Sequence, residues 1–160
     1  MAELTRTELI KLIAANSGKG LTLRGVDLTG LNLSHLYLAE ANLAYANLTE
    51  ASLTQADLTK ANLEYAILDY ADLSESILQF ANLHRARLIG ADLRAVDLRD
   101  SDLREADLRG ANLRTSDLTR ANIWHADLRE ANLIYTNLDG AKGVSPEVEE
   151  WLKAGREPSE

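Results

Sequence analysis

Leucine stands at position 23 and then at every fifth position to Leu138, with Ile123 as the single replacement in 24 consecutive units. Five is the wrong period for both regular elements. On an α-helix, successive leucines would fall about 140° apart and form no stripe. On an unbroken strand, an odd period throws alternate leucines to opposite faces. Both problems vanish if each unit is a short extended piece followed by a bend. Two residues before each leucine sits a small residue, usually alanine (Ala41, Ala46, Ala51 and onward to Ala131), and between the two comes a polar one, commonly Asn or Asp. The small residue and the leucine then point inward and the Asn or Asp outward. Two variable residues turn the corner, eased where Gly25, Gly30, Gly90, Gly110 and Gly140 stand. Repeating that bend coils the chain into a solenoid with a leucine and alanine interior.

This unit, a small residue, Asn or Asp, Leu and two variable positions, resembles the pentapeptide-repeat family over residues 21–141. The resemblance implies an all-β solenoid: a right-handed quadrilateral parallel β-helix with four units in each coil. The residues alone do not separate a four-sided from a three-sided coil. With four sides, the units make about six coils, and at roughly 4.8 Å between stacked strands the prism is about 29 Å long. Tyr37, Ile67, Ile77 and Arg87 depart from the pattern by replacing the outward Asn or Asp.

A β-helix exposes unpaired backbone at its ends, so short capping helices are expected at both. Residues 1–20 form the N-terminal cap and linker. Thr5-Arg6-Thr7-Glu8 has the capping-box spacing, and Leu4 with Leu9 fits a hydrophobic staple. A helix from about Arg6 to Ala15 places Leu9, Leu12 and Ile13 on one side and stops near Gly18. Large residues in the first coil (Leu21, Val26, Leu31 and Leu36) stand where alanine comes later, ready to pack against that helix. Residues 142–160 form the other end: Ser145-Pro146 starts a second helix carrying Val148, Trp151 and Leu152 on one face, and Arg156 to Glu160 is a frayed tail.

Composition narrows the chemistry. There are no cysteines, which excludes disulfides, thiolate metal sites and a cysteine nucleophile. The net charge of −8 makes direct nucleic-acid binding unexpected, because phosphate contacts need a basic footprint. No apolar run is long enough to span a membrane, and the N-terminus lacks the pattern of a signal peptide, so a cytoplasmic protein is expected. His35, His84 and His125 are the only histidines and read as surface residues at solvated corners. With side chains either filling the core or pointing out from a convex prism, no catalytic, cofactor or metal site is expected. Asp107 with Asp127, and Asp97 with Asp117, would stack one coil apart as a cation site. Arginines two residues further on in their units (Arg94, Arg99, Arg104, Arg109, Arg114 and Arg129) favour mutual charge compensation instead.

What remains is surface. Tyr65, Ile67, Tyr70, Ile77 and Phe80 all lie in the third coil and point outward or to corners, which makes them the candidate interface; Ile89 follows in the next coil. Tyr45 and Tyr65 with Trp124 and His125 share one side of a four-sided coil. The expected function is a non-enzymatic structural or protein-interaction module presenting a rigid prism to a protein partner. In its leucine core the chain is similar to the many cyanobacterial members of the family. The alternative is a DNA mimic that binds DNA gyrase or another type II topoisomerase, as some family members do. Mimicry requires about one negative charge per 1.7 Å of axis, whereas residues 21–140 carry a net of only −7. A monomer or an end-to-end homodimer is expected.

Overall fold

In the computed structural model, which describes residues 5–15 and 20–154 with side chains to residue 150, every outward residue bridges in parallel to the one 20 positions on. The series runs from Thr22 with Asn42 to Asn122 with Lys142. Four units therefore make one coil, and the three-sided alternative is excluded. The sides are numbered here by their leucine columns: side one starts at Leu23, side two at Leu28, side three at Leu33 and side four at Leu38. Coils one to six run from residues 21–40 to residues 121–140. Each side makes three backbone hydrogen bonds between neighbouring coils. On side one, the Leu43 N–H donates to Asn62 O at 2.7 Å and the Tyr45 N–H to Glu64 O at 2.9 Å, while the Asn62 N–H donates back to Ala41 O at 2.9 Å.

The corners are more demanding than the sequence implies. At each one the leucine carbonyl accepts the N–H three residues on, as from Ala46 to Leu43 at 3.0 Å. The fifth residue of every unit has φ between 53° and 68°, the value a type II turn requires at its third position. Glycine fills five of these corners, but the other nineteen hold residues such as Tyr65, Phe80 and Arg120. A left-handed L-residue costs roughly 1–2 kcal/mol and persists only where its surroundings over-determine it. The outward Asn or Asp supplies part of that constraint. In 18 of the 24 units its Oδ1 accepts the N–H two residues on. The polar column is thus a row of turn caps as well as a solvated surface.

The interior holds the leucine and alanine columns, fully buried through the middle coils. Ser76, Ser101 and Ser116 replace inward alanines, and each hydroxyl donates at 2.6 Å to the carbonyl three residues back. Among the described residues no buried side-chain polar atom lacks a partner.

Helix α1 (Arg6–Ala15) begins with the expected reciprocal cap: the Thr5 N–H donates to Glu8 Oε2 at 2.8 Å, and the Glu8 N–H donates to Thr5 Oγ1 at 3.3 Å. Leu9 is buried, and Ile13 packs on the core beside Val26, Leu31 and Leu36. Leu12 departs from the expected face and is exposed, because the narrow end of the prism accepts only the stripe of residues four apart. The Arg6 guanidinium donates to the carbonyls of Asn32 and Ser34. On side three these two carbonyls correspond to those of Ser52 and Thr54, which take the N–H groups of Leu33 and His35 from the coil before. Arg6 therefore stands in for two strand donors at an edge with no coil beyond it. Replacing it with methionine keeps most of the stem and removes the fork. The expected loss is about 1–2 kcal/mol, with faster amide exchange at Leu33 and His35. Unchanged protection there would remove Arg6 from the capping role.

Helix α2 (Pro146–Ala154) closes the other end. Ser145 caps it, its Oγ accepting the Val148 N–H at 3.3 Å, and Val148 is buried against the last coil. The expected staple at Leu4, the stop at Gly18, the side chains of Trp151 and Leu152 and the tail from Arg156 to Glu160 lie outside the described residues.

Candidate interaction surface

Arginine follows aspartate by two residues in five units, and each pair closes on itself. Arg94, Arg99, Arg104, Arg109 and Arg129 reach Asp92, Asp97, Asp102, Asp107 and Asp127 through their terminal nitrogens at 2.5–2.7 Å, and through Nε at 2.8–2.9 Å. The fork matches the carboxylate because both leave the same side of one tight turn. The stacked pairs expected at Asp107–Asp127 and Asp97–Asp117 are bridged by arginine instead: Arg109 Nε lies 3.8 Å from Asp127, and Arg99 Nε lies 3.9 Å from Asp117. Among the described residues no group of three His, Asp or Glu side chains could hold a metal ion.

These guanidinium contacts depress the carboxylates. Hydrogen bonding from Arg129 pulls Asp127 down to about 2, and Arg104 and Arg109 lower Asp102 and Asp107 in the same way. A folded-state value below the unfolded one adds stability that is present above the unfolded pKa of about 3.9. That stability is lost as pH falls through the folded value. The melting temperature should therefore hold steady down to about pH 4 and drop between about pH 4 and pH 2. An Asp127→Asn variant should show a shallower drop; identical acid profiles would mean that the pair adds nothing to stability.

Pairing divides the prism electrically. Coils one to three, residues 21–80, hold eight acids and two bases, net −6. Coils four to six, residues 81–140, hold ten acids and nine bases, net −1. One cross-coil pair repairs a departure from the repeat. Arg87 occupies a capping position and cannot accept the Ile89 N–H. Asp69 from the preceding coil does so at 3.2 Å, while its other oxygen holds Arg87 at 2.5 Å.

Side one and the corner that follows it form a continuous ladder. Arg24 lies 4.4 Å over the Tyr45 ring, Tyr45 stacks on Tyr65 at 4.9 Å, and Arg85 donates to the Tyr65 hydroxyl at 2.6 Å and to Glu105 at 2.8 Å. His84 sits between Glu64 and Glu105 at 3.3 and 3.4 Å. Tyr45 and Tyr65 are thereby joined to each other but separated by charged residues from the Trp124–His125 pair further along. Each rung is satisfied within the ladder.

The five coil-three residues do not share a side. Tyr65 (the corner after side one), Ile67 (side two) and Tyr70 (the next corner) flank side two; Ile77 and Phe80 stand on side four and its corner, across the prism. Tyr70 lies over Gly90, where an added Cβ would meet its ring at 2.7 Å. On side four, Tyr37 bridges Asp57, which bridges Ile77. The sequence marks Tyr37 only as a departure from the repeat; the 20-residue register is what places it in the same column as Ile77. Tyr37, Ile77 and Phe80 are 48%, 41% and 53% exposed. They form an apolar group that no neighbouring element covers among the described residues.

A stacked four-sided coil with an Ala-(Asn/Asp)-Leu repeat defines a class. The family model described as pentapeptide repeats, in eight copies, matches residues 22–59, 56–94, 97–133 and 116–142. The chain belongs to the pentapeptide-repeat family, whose fold is the right-handed quadrilateral β-helix. It is similar to a pentapeptide repeat protein from the thylakoid lumen of Arabidopsis thaliana, at 25% identity over 66% of this chain and 70% of that one, TM-score 0.50. It is also similar to one from the cyanobacterium Nostoc, at 37% identity over 62% and 81% of the two chains, TM-score 0.53. A plasmid-mediated fluoroquinolone resistance protein matches at 14% identity over 85% of this chain and 90% of that one, TM-score 0.36, a likeness that carries no argument about function. No curated protein matches the sequence. Proteins of this family are generally structural, non-catalytic modules. Among the described residues no helix is long and apolar enough to cross a membrane.

Proposed function

We propose that this chain is a non-enzymatic interaction module, a rigid prism that offers its sides to a protein partner in the cytoplasm of a bacterial cell. The observation that carries this reading is the division of side chains: leucine and alanine fill the interior, polar groups cap turns or pair with each other, and exposed aromatic and aliphatic residues stand on the outside, Tyr37, Tyr45, Tyr70, Ile77 and Phe80 in coils one to three and Trp124 and Tyr135 in coil six. Such residues supply anchors for an interface. The proposed contacts are Tyr65, Ile67 and Tyr70 around side two, and Ile77 and Phe80 on side four. A Tyr70→Glu or Ile77→Asn variant should lose a partner that the native protein retains; retention by both would remove coil three as the interface. The cytoplasmic placement is tested by cell fractionation, with an exported or thylakoid location as the contrary result.

The second reading, a DNA mimic that binds a type II topoisomerase, draws on the net −6 of coils one to three. Those coils span about 14 Å, the length of roughly four base pairs, where DNA carries about eight charges. Coils four to six are nearly neutral, so the acidic stretch ends at half the length of the rod. Titration into a gyrase supercoiling assay, with and without a fluoroquinolone, is expected to show no effect. Inhibition or drug protection at low micromolar protein would favour mimicry.

A further inference from the structure

We propose that side four of coils one to three docks a basic amphipathic segment of a protein partner; this deepens the interaction-module reading and rests on it. Tyr37 and Ile77 occupy one column, two coils or about 10 Å apart, and Phe80 stands at the adjoining corner. All three are about half exposed. The spacing matches two turns of helix, which rise about 10.8 Å. A helix laid along the column would set successive apolar residues on Tyr37 and Ile77, with Phe80 beside them.

The charge around this group selects the partner. Asp57 lies between Tyr37 and Ile77, Glu40 stands at the same corner as Phe80, and Glu75 borders side four from the previous corner. Among the described residues none of these three carboxylates makes an ion pair; Asp57 Oδ1 accepts the Thr59 N–H, Glu75 accepts from Gln55 Nε2 at 2.7 Å, Lys60 stands in the corner column of Glu40 and Phe80, and Arg94 acts on Glu75 from the next coil. The aspartates of coils four to six are instead largely held by arginine. Lysine or arginine flanking an apolar stripe would find carboxylates here that no ion pair holds, whereas Asp97, Asp100 and Asp117 further along side four face Arg99 and Arg120. A second copy of the chain is disfavoured, since side four packed on itself sets like charges together. An anionic lipid surface is disfavoured for the same reason.

The probe is a synthetic helical peptide of about 18 residues built from Leu, Trp and Lys, with an apolar stripe and a net charge of roughly +6. One control has the same composition scrambled to remove the stripe, and a second carries Glu in place of Lys. Binding is followed by fluorescence anisotropy and by backbone amide shifts of the full-length protein. The striped basic peptide should bind and move amides at residues 37–40, 57–60 and 77–80. A double variant, Ile77→Asn with Phe80→Ser, should bind at least about tenfold more weakly. Both replaced side chains point outward, so its melt should match the native one. Equal binding of the scrambled peptide, or native-like binding by the double variant, would reduce the effect to plain charge attraction and overturn the proposal. Shifts confined to another side would overturn the side-four assignment while leaving the interaction-module reading in place. No shift with any peptide would remove this partner chemistry, and the module reading would then be decided by retention of a partner on Tyr70→Glu.

Discussion

Leu83→Ala should destabilise the protein by about 2–5 kcal/mol, the range for a fully buried leucine whose cavity cannot close. Leu83 lies on side one of coil four, with none of its surface exposed and the leucine column continuing through Leu63 and Leu103. Collapse around the missing side chain is resisted by the backbone. The Leu83 N–H donates to Asp102 O at 2.7 Å and its carbonyl accepts the Ala86 N–H at 2.9 Å, so the strand is tied both to the next coil and to its own corner. Moving it inward would break bonds on both. Ile77→Ala is the control, an aliphatic residue of the same repeat that points outward, and it should change stability by no more than about 0.5 kcal/mol. Chemical denaturation of the two variants compares them directly. Equal losses would mean that the third place of the unit is not the inward one.

That inward assignment is legible because a period of five admits few backbones, and the buried alanine and leucine columns follow from it. Coil closure is not legible in the same way. Ala-Asn-Leu-x-x is compatible with three or four sides, and the bridges from Thr22 to Asn42 and onward decide the matter at 20 residues. Corner conformation is hidden for a different reason. Glycine at position 25 or 30 signals positive φ, whereas Tyr65 or Arg120 in the same place carries no such signal, yet all adopt it. The backbone ladder and the Asn or Asp cap impose the turn on whatever residue is there. The outward Asn or Asp accordingly reads as surface in the sequence and acts as a turn cap in the fold.

The candidate surface was legible as residue types but not as an arrangement. Ile67 and Ile77 are ten residues apart, which is half a coil, so they face opposite ways; Tyr37 and Ile77 are 40 apart, which is two whole coils, and share a column. Grouping by position along the chain collects the coil-three belt, and grouping by side takes it apart. Side four gains Tyr37 and side two keeps Ile67 and Tyr70. Charge behaves likewise. A net of −8 looks diffuse over the whole sequence, but the 20-residue register divides it into −6 in coils one to three and −1 in coils four to six, where five arginines close on the aspartate two residues before.

Gly143→Ala should cost about 2–5 kcal/mol, combining left-handed strain with a backbone collision. Gly143 has φ of +84°, and an added Cβ would lie 2.6 Å from both N and Cα of Trp124. Backbone atoms cannot swing aside as a side chain can, so the segment at residue 142 must lift. It is held there by the Ile123 N–H to Lys142 O and by the Lys142 N–H to Ala121 O, both at 2.8 Å. Losing those bonds uncovers the end of coil six, where Val144 and Val148 close the core. Gly110→Ala isolates the conformational part. Its φ is +65°, and no heavy atom lies within 4 Å of the added Cβ, so about 1 kcal/mol of strain is all that is expected. The nineteen non-glycine corners show that the fold tolerates such strain. Thermal melts of both variants, with amide exchange at Ile123 and Lys142, separate strain from collision. If Gly143→Ala lost no more than Gly110→Ala and kept those two amides protected, residues 141–144 would not be clamped on Trp124, and closure of the C-terminal end would rest on α2 alone.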